Sequence, residues 1–284
     1  MPELNSNTIG LIHRIWNAKK WKFTTPDIQE SAFNRLCEMF RKLEKNEQDL
    51  LLNLMHSYSY YSYTDYHDLL VKAFLKFEDN QINEVDQIII APLVKPEDID
   101  ANYAKSGHSL IYVANNIGIT AHKKLANLER NSIINPYIVS RKELKGEKIL
   151  VILIDDFVGS GTSASSVYKQ VKARFSTNDK IIVTCLITTK KAIARLKSDS
   201  IPFYWSEIAL KGIADNQLIT NKQQAYELID NIWRAHLDVS KQYKRGYKKS
   251  ETLITLIRTP NNTLPMFWCK KARDGSDWPS PFTR

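Results

Sequence analysis

The sequence predicts an α/β fold, a mainly parallel sheet flanked by helices, with an N-terminal helical region. Two observations lead to this prediction. Residues 1–84 carry apolar side chains at helical spacing, and from residue 85 short apolar runs alternate with helical segments. Such alternation builds βαβ units, whose strands lie parallel through right-handed crossovers. We therefore expect a helical region at residues 1–84 and an α/β domain with a C-terminal extension at residues 85–284.

Four helices are expected in the N-terminal region, each with a stripe of apolar side chains. They span residues 9–21, a stretch that begins at Pro26 and includes Phe40, residues 47–58 and residues 66–77. A tyrosine-rich stretch, residues 58–63, links the last two. Its rings could form a surface that stacks bases, but packing of a helix connection on the core is the commoner arrangement.

Strands and helices alternate in the second region. Strands are expected at residues 87–94, 136–140, 148–154, 181–187, 203–205 and, at the end, 252–258. Helices are expected at residues 110–117, 163–175, 190–196 and 223–237. The uninterrupted apolar runs at residues 88–91 and 149–154 are typical of parallel strands that are buried on both faces.

The most informative stretch is residues 148–163. A buried strand leads into Asp155 and Asp156, and a loop of small residues then opens a helix. The loop consists of Gly159, Ser160, Gly161, Thr162 and Ser163. Backbone N–H groups at a helix start bind anions, and carboxylates accept hydrogen bonds from sugar hydroxyls. The stretch therefore predicts a sugar-phosphate site, the alternative being a purely structural turn with a surface acidic pair.

Two other nucleotide-binding motifs fit this stretch less well. A P-loop requires a lysine before its Ser or Thr, and Gly161-Thr162 is followed by Ser163. A dinucleotide fingerprint expects glycine directly after the strand and an acid at the tip of the next strand. Here the acids come first, and the next strand ends at residues 187–188 without one.

The order of strand, acidic pair and small-residue loop resembles the signature of the type I phosphoribosyltransferases. These enzymes bind 5-phosphoribosyl-1-pyrophosphate (PRPP) with Mg²⁺. The resemblance implies that Asp155 and Asp156 are the catalytic pair, take the ribose hydroxyls and lie at the metal, and that residues 159–163 wrap the 5-phosphate. It also implies a pyrophosphate loop after the first core strand. The anion-binding candidates of that loop are Lys95, Lys105, Ser106 and Gly107, although Ser106 also suits a helix N-cap.

A second notable stretch is residues 259–268. Asn261, Asn262 and Trp268 could grip a base, or the stretch could be a tight turn that docks Trp268 on the core. It is similar to the ending of a divergent phosphoribosyltransferase-like family of bacterial conflict and anti-phage systems, some of them encoded beside retrons. With this ending, the resemblance extends over residues 86–268.

The sequence departs from the resembled enzymes at two places. Purine-type members have an aspartate general base where this chain has Gly159, whereas orotate-type members lack it. Active enzymes also carry a long mobile loop before the central strand, for which the expected strands leave only residues 141–147. A short cover exposes the reacting carbon to water, which favours hydrolysis or binding over transfer.

Composition limits the compartment and the partners. The chain has a net charge of +9, and its basic residues cluster at residues 19–22, 190–191, 241–249 and 270–271, two of these clusters alternating with aromatics. A surface with this charge attracts polyanions, so a nucleic-acid or protein partner is a further hypothesis. Three scattered cysteines, six histidines without metal spacing, no signal peptide and no long apolar run predict a soluble cytoplasmic protein without membrane contact.

The leading functional hypothesis is a protein that binds a phosphoribosyl compound with Mg²⁺ and transfers or hydrolyses the phosphoribosyl group. The rival hypothesis is a non-catalytic or toxin-like component of a bacterial anti-phage defence complex, which uses the fold to bind nucleotide or nucleic acid. The acceptor base, the oligomeric state and the identity of any partner do not follow from the sequence.

Overall fold

The computed structural model describes residues 4–21, 31–100, 106–114, 123, 125–126, 128–138, 141, 144, 146–282 and 284. Contacts divide the chain into two compact units. The helical unit comprises Met1–Ser62 and Ala209–Arg284, and the sheet unit comprises Tyr63–Ile208. By these contacts residues 63–84 belong with the sheet, whereas the domain boundary expected at residue 84 stays a prediction.

The elements follow in chain order. The helices are α1 (Ser6–Ala18), α2 (Ala32–Arg41), α3 (Lys45–His56), α4 (Tyr66–Phe74), α5 (Asp79–Ile82), α6 (Pro96–Asp100), α7 (Ser106–Val113), α8 (Thr162–Lys172), α9 (Lys190–Ser198) and α10 (Lys222–His236). The strands are β1 (Ser59–Tyr60), β2 (Gln87–Pro92), β3 (Glu129–Ser132), β4 (Ile149–Val158), β5 (Lys180–Thr188), β6 (Phe203–Ile208) and β7 (Ile254–Thr255).

The sheet unit is built on a parallel sheet with the strand order β3-β2-β4-β5-β6. Every residue of β2 and residues 149–154 of β4 are buried. Side chains such as Ile89, Val151 and Val183 form a core with α8 and α9. Burial on both faces explains why these strands read as uninterrupted apolar runs. The predicted mainly parallel α/β fold is therefore confirmed.

One predicted strand is wrong. Residues 136–138 form a turn, residues 139–140 lie outside the described residues, and the edge strand is β3 at Glu129–Ser132. Pro136 cannot donate a ladder hydrogen bond, and the Asn135 side chain accepts from the Tyr137 N–H at 2.9 Å, as in an Asx turn. The connection from β3 to β4 is consequently residues 133–148. The expectation of a short cover at residues 141–147 is therefore wrong, and the preference for hydrolysis or binding over transfer loses its basis.

The central strand extends beyond its predicted end at Ile154. β4 continues to Val158, because Phe157 and Val158 pair with Ile187 and Thr188 of β5. The Thr188 hydroxyl also donates to the Val158 carbonyl at 2.9 Å. Asp155 and Asp156 are therefore part of the strand, which fixes their backbone.

The helical unit packs α1, α2, α3 and α10 around an aromatic core. Tyr58 lies fully buried in it, with ring centroids 4.7 Å from Phe267 and 4.8 Å from Phe282. Its hydroxyl and that of Thr255 share a 2.8 Å hydrogen bond. Core packing is thus the role of Tyr58 in the tyrosine-rich stretch. The predicted closing strand is shorter than expected and pairs with β1, not with the main sheet.

No helix within the described ranges is long and apolar enough to cross a membrane.

Asp179 is expected to stabilise the start of the central strand. Its buried carboxylate accepts hydrogen bonds from Ile149 N–H at 3.0 Å, from the Ser176 N–H and hydroxyl, and from Arg141 Nε at 2.9 Å. Burial acts to raise the pKa of Asp179, but these donors outweigh it and lower the pKa. The stabilisation is therefore present above the ordinary pKa of about 3.9 and is lost as pH falls through the lowered folded-state value.

We accordingly expect Asp179→Asn to lower the free energy of unfolding by about 2 kcal/mol at pH 7, because an amide cannot accept from all these donors. Urea unfolding at pH 7 and pH 3 checks this. The difference in free energy of unfolding between variant and wild type should be smaller at pH 3 than at pH 7. An equal difference at both pH values would contradict the stabilising role of the Asp179 carboxylate.

Candidate functional site

The acidic pair lies at the carboxyl edge of the sheet. The pairing of β2 with β4 ends at Pro92 and Ile154, so Asp155 and Asp156 lie just past the end of β2. On its other side, β4 continues to pair with β5. Open α/β sheets bind ligands at this edge, outside the carboxyl ends of the strands.

Both carboxyl groups are shielded from water. Asp156 is 8% exposed, and Asp155 is half-buried. Within the described part of the chain, neither has an ion-pair partner. Burial raises the pKa of Asp155 well above its usual range, and the neighbouring Asp156 charge raises it further. Burial also raises the pKa of Asp156. The folded protein therefore disfavours the charged form of the pair, and a cation or hydroxyl donors would stabilise that form.

Two hydroxyl groups hold the pair. The Ser106 hydroxyl, at the start of α7, donates to Asp155 Oδ1 at 2.8 Å. The Tyr66 hydroxyl, at the start of α4, donates to Asp156 Oδ2 at 3.1 Å, and Tyr66 is fully buried. The Asp156 N–H also donates to Asp155 Oδ1 at 2.9 Å. Each donor lowers the pKa of its carboxyl, although burial outweighs this effect.

The predicted phosphate loop leads from β4 into α8. Gly161 occupies the N-cap position in a left-handed conformation, φ +71°, so no N-cap side chain accepts from the first turn. A Cβ on Gly161 would lie 3.3 Å from the backbone of Ala192. The Thr189 hydroxyl donates to the Gly159 carbonyl at 2.6 Å and fixes the start of the loop.

The hydroxyl groups of the loop interact with each other. The Ser160 hydroxyl donates to the Thr162 hydroxyl at 3.2 Å and accepts a long bond, 3.4 Å, from the Thr162 N–H. Thr162 and Ser163 are exposed at the first turn of α8. Backbone donors at a helix start and exposed hydroxyls together suit a phosphate group.

The residues predicted for the pyrophosphate loop have separate roles. Lys105 lies outside the described residues. Lys95 is partly exposed and pairs with Glu97 at 3.3 Å. The Ser106 hydroxyl donates to Asp155. The sequence had suggested an N-cap or a ligand contact for Ser106, and neither includes this hydrogen bond. Gly107 lets α7 approach the sheet closely, because a Cβ there would lie 2.8 Å from the Ile154 carbonyl oxygen. A pyrophosphate-binding role for these residues stays a prediction.

The residues predicted for the base side belong to the helical unit. Trp268 is 6% exposed, and its indole N–H donates to the Thr263 carbonyl at 2.8 Å. The carbonyls of Asn261 and Asn262 accept from Tyr247 N–H and Thr252 N–H. These contacts agree with a turn that docks Trp268 on the core. A base-binding role for Asn261, Asn262 and Trp268 stays a prediction.

Sequence reasoning missed Tyr66 as a partner of the acidic pair. It lies 90 positions before Asp156, and its helical spacing with Leu69, Leu70 and Ala73 is that of an ordinary core residue. Among the described side chains, no group of three or more His, Cys, Asp or Glu is arranged to hold a metal ion.

The model of the PRTase-CE family, a phosphoribosyltransferase-like family, matches residues 34–284. None of the curated protein sequences compared with the chain matches it. Similar solved structures include the orotate phosphoribosyltransferase from Aeropyrum pernix, with a TM-score of 0.32 and 11% identity over 51% of this chain and 70% of that one. Another is the Helicobacter pylori xanthine-guanine-hypoxanthine phosphoribosyltransferase, with a TM-score of 0.32 and 15% identity over 53% of this chain and 86% of that one.

A third is the Mycobacterium tuberculosis H37Rv orotate phosphoribosyltransferase in complex with inorganic phosphate, with a TM-score of 0.29 and 7% identity over 72% of this chain and 96% of that one. The assignment to a family therefore rests on the match over residues 34–284. That match does not distinguish an anti-phage branch, so the defence role stays a prediction.

Proposed function

Because the chain belongs to the PRTase-CE family, we propose that its sheet unit binds a phosphoribosyl compound such as PRPP. In this proposal Asp155 and Asp156 accept hydrogen bonds from the ribose hydroxyls. The backbone of Gly159, Ser160, Gly161, Thr162 and Ser163 binds the 5-phosphate at the start of α8. The anionic phosphate of the ligand thus meets hydrogen-bond donors, and its ribose hydroxyls donate to the carboxylate acceptors.

One observation carries this proposal. A shielded acidic pair with raised pKa values, and without an ion-pair partner in the described part of the chain, lies a few residues from a helix start that is suited to an anion. A purely structural pair would be expected to have a cation beside it. Sugar hydroxyls or a metal ion would supply the missing stabilisation when the ligand binds.

The donor set suits Mg²⁺. Mg²⁺ is usually held by one or two carboxylates together with substrate phosphates and waters, and seldom by an all-protein cage. Asp155 and Asp156 would hold it on the protein side. When bound, the ion would neutralise the pyrophosphate leaving group. The two carboxylates would orient the ribose, and Ser106 and Tyr66 would hold the carboxylates in position.

Ligand-dependent melting tests the proposal. A ligand present at 100 times its Kd stabilises the folded state by about 2.7 kcal/mol. For a chain of this size we expect PRPP with Mg²⁺ to raise Tm by roughly 5 °C or more. Mg²⁺ alone, pyrophosphate alone and ribose 5-phosphate are the controls. No shift with millimolar PRPP and Mg²⁺, or an equal shift with pyrophosphate alone, would contradict it, and product analysis would separate transfer from hydrolysis.

A further inference from the structure

We propose that the helical unit binds single-stranded nucleic acid on a basic surface formed by residues 241–249, Arg258 and Arg284. This proposal is independent of the phosphoribosyl site, which belongs to the sheet unit. It takes up one of the basic clusters of the sequence, for which the proposed function gives no role.

The first argument is charge. Residues 241–249 contain four lysines, one arginine and no acidic residue. Lys244 and Arg245 are partly buried and pair with Asp230 at 2.6 and 2.7 Å. In contrast, Lys241, Lys249 and Arg258 are exposed and have no ion-pair partner among the described residues. Part of the cluster is therefore structural, and the rest presents positive charge to solvent.

The second argument is backbone conformation. Lys248 and Lys249 both adopt the left-handed conformation, with φ +54° and +56°. Residues other than Gly, Asn and Asp rarely adopt this conformation because it is sterically unfavourable for them. The flanking chain holds the two lysines there, since Tyr247 N–H donates to the Asn261 carbonyl at 2.8 Å and Glu251 N–H to the Arg245 carbonyl at 3.0 Å. Lysine at both positions therefore costs stability, and residues held in such conformations are concentrated at functional sites.

The third argument is the arrangement of aromatic rings. The centroids of Tyr243 and Tyr247 are 5.9 Å apart, and the Lys248 ammonium lies 5.5 Å from the Tyr247 centroid. The Arg284 guanidinium lies 5.8 Å from the half-buried Tyr243 ring and 4.9 Å from the ring of Trp268, which is itself buried and can only support the arginine from below. Cations beside aromatic rings are the arrangement with which proteins bind the phosphates and bases of single strands.

Arg284 also has a neighbour of like charge. Burial lowers the pKa of Arg284, and the charge of Arg258 lowers it further. An anion near these two guanidinium groups would relieve their repulsion. An anionic membrane is a poorer fit, because membrane-binding surfaces insert apolar side chains. Among the described residues of this surface no large apolar side chain is exposed, and Ile257, which precedes Arg258 in the chain, is the exposed one beside it in sequence.

The test is fluorescence anisotropy with a labelled 20-nucleotide single strand of mixed sequence at 50–300 mM KCl. The double variant Lys248→Asn/Lys249→Asn removes two charges and keeps residues that tolerate φ > 0. We expect it to weaken binding by about tenfold or more at 50 mM KCl and to lower the salt slope by about 1.4. Its Tm should be unchanged or higher. The control, Lys190→Asn/Lys191→Asn on α9, removes the same charge elsewhere and should bind like wild type.

Three results would overturn the proposal. The first is that wild type does not bind the single strand at 50 mM KCl. The second is that both double variants lose affinity equally, which would mean that net charge alone acts. The third is that wild type binds vesicles of phosphatidylcholine with 30% phosphatidylserine but not the oligonucleotide, which would assign the surface to membranes.

Discussion

Replacement of Asp156 by asparagine is expected to weaken PRPP binding by roughly 1.5–3 kcal/mol, the value of a charge-assisted hydrogen bond, and to leave the ligand-free protein at least as stable as wild type. Asparagine keeps the shape of the side chain and an oxygen that can accept from the Tyr66 hydroxyl. It removes a shielded negative charge next to Asp155. Asp155→Asn should behave in the same way. Calorimetric titration with PRPP and Mg²⁺ measures the binding, and thermal melts measure the stability.

The pH dependence separates this account from a structural role. The pKa values of Asp155 and Asp156 are raised in the folded state. Their stabilisation is therefore present below the ordinary pKa of about 3.9 and is lost as pH rises through the raised folded-state value. The free energy of unfolding of the asparagine variants should exceed that of wild type most at neutral pH. This difference should disappear as the pH falls toward 4. If the pair instead caps nearby backbone, both variants would be destabilised at pH 7 and would still bind PRPP.

The largest expected loss of stability comes from Gly246→Ala in the helical unit. Gly246 has φ +73°, and a Cβ there would lie 2.0 Å from the Asn262 carbonyl oxygen, which is backbone and cannot move aside alone. With ψ 156° this backbone conformation is essentially restricted to glycine, so strain of about 1–3 kcal/mol adds to an overpacking penalty of about 1–3 kcal/mol. We expect the free energy of unfolding to fall by roughly 3 kcal/mol, as measured by urea unfolding.

Gly275→Ala is the matched control for this variant. Gly275 has φ +84°, but a Cβ there would lie more than 4 Å from every atom of the described residues other than its chain neighbours. Only the strain should therefore appear, about 1–2 kcal/mol. Equal losses for the two variants would show that the close approach of residues 246 and 262 is not as described.

The parts of the fold that follow from local patterns were predictable. The apolar run of β4, the two acids and the small-residue loop are contiguous in sequence, so their order already indicated the edge of a parallel sheet. The edge strand β3 was not predictable in this way. Its sequence, Glu129 to Ser132, is polar and mostly exposed, and within the described part of the chain it pairs with β2 alone.

Contacts between residues far apart in the chain could not be predicted from the sequence either. Ser106 and Tyr66 reach the acidic pair from positions 49 and 90 residues away, and no spacing rule links them to it. The helical unit joins residues 1–62 to residues 209–284, although each segment alone reads as an ordinary flank of the α/β domain. Such pairings depend on tertiary packing, which periodicity within one segment does not encode.

The most direct test of the central claim is a crystal structure of the protein soaked with PRPP and Mg²⁺. We predict density for the 5-phosphate against the backbone of Gly159, Ser160, Gly161, Thr162 and Ser163, with the ribose hydroxyls on Asp155 and Asp156 and the metal ion beside them. An empty loop at saturating ligand, or PRPP bound elsewhere on the chain, would contradict it.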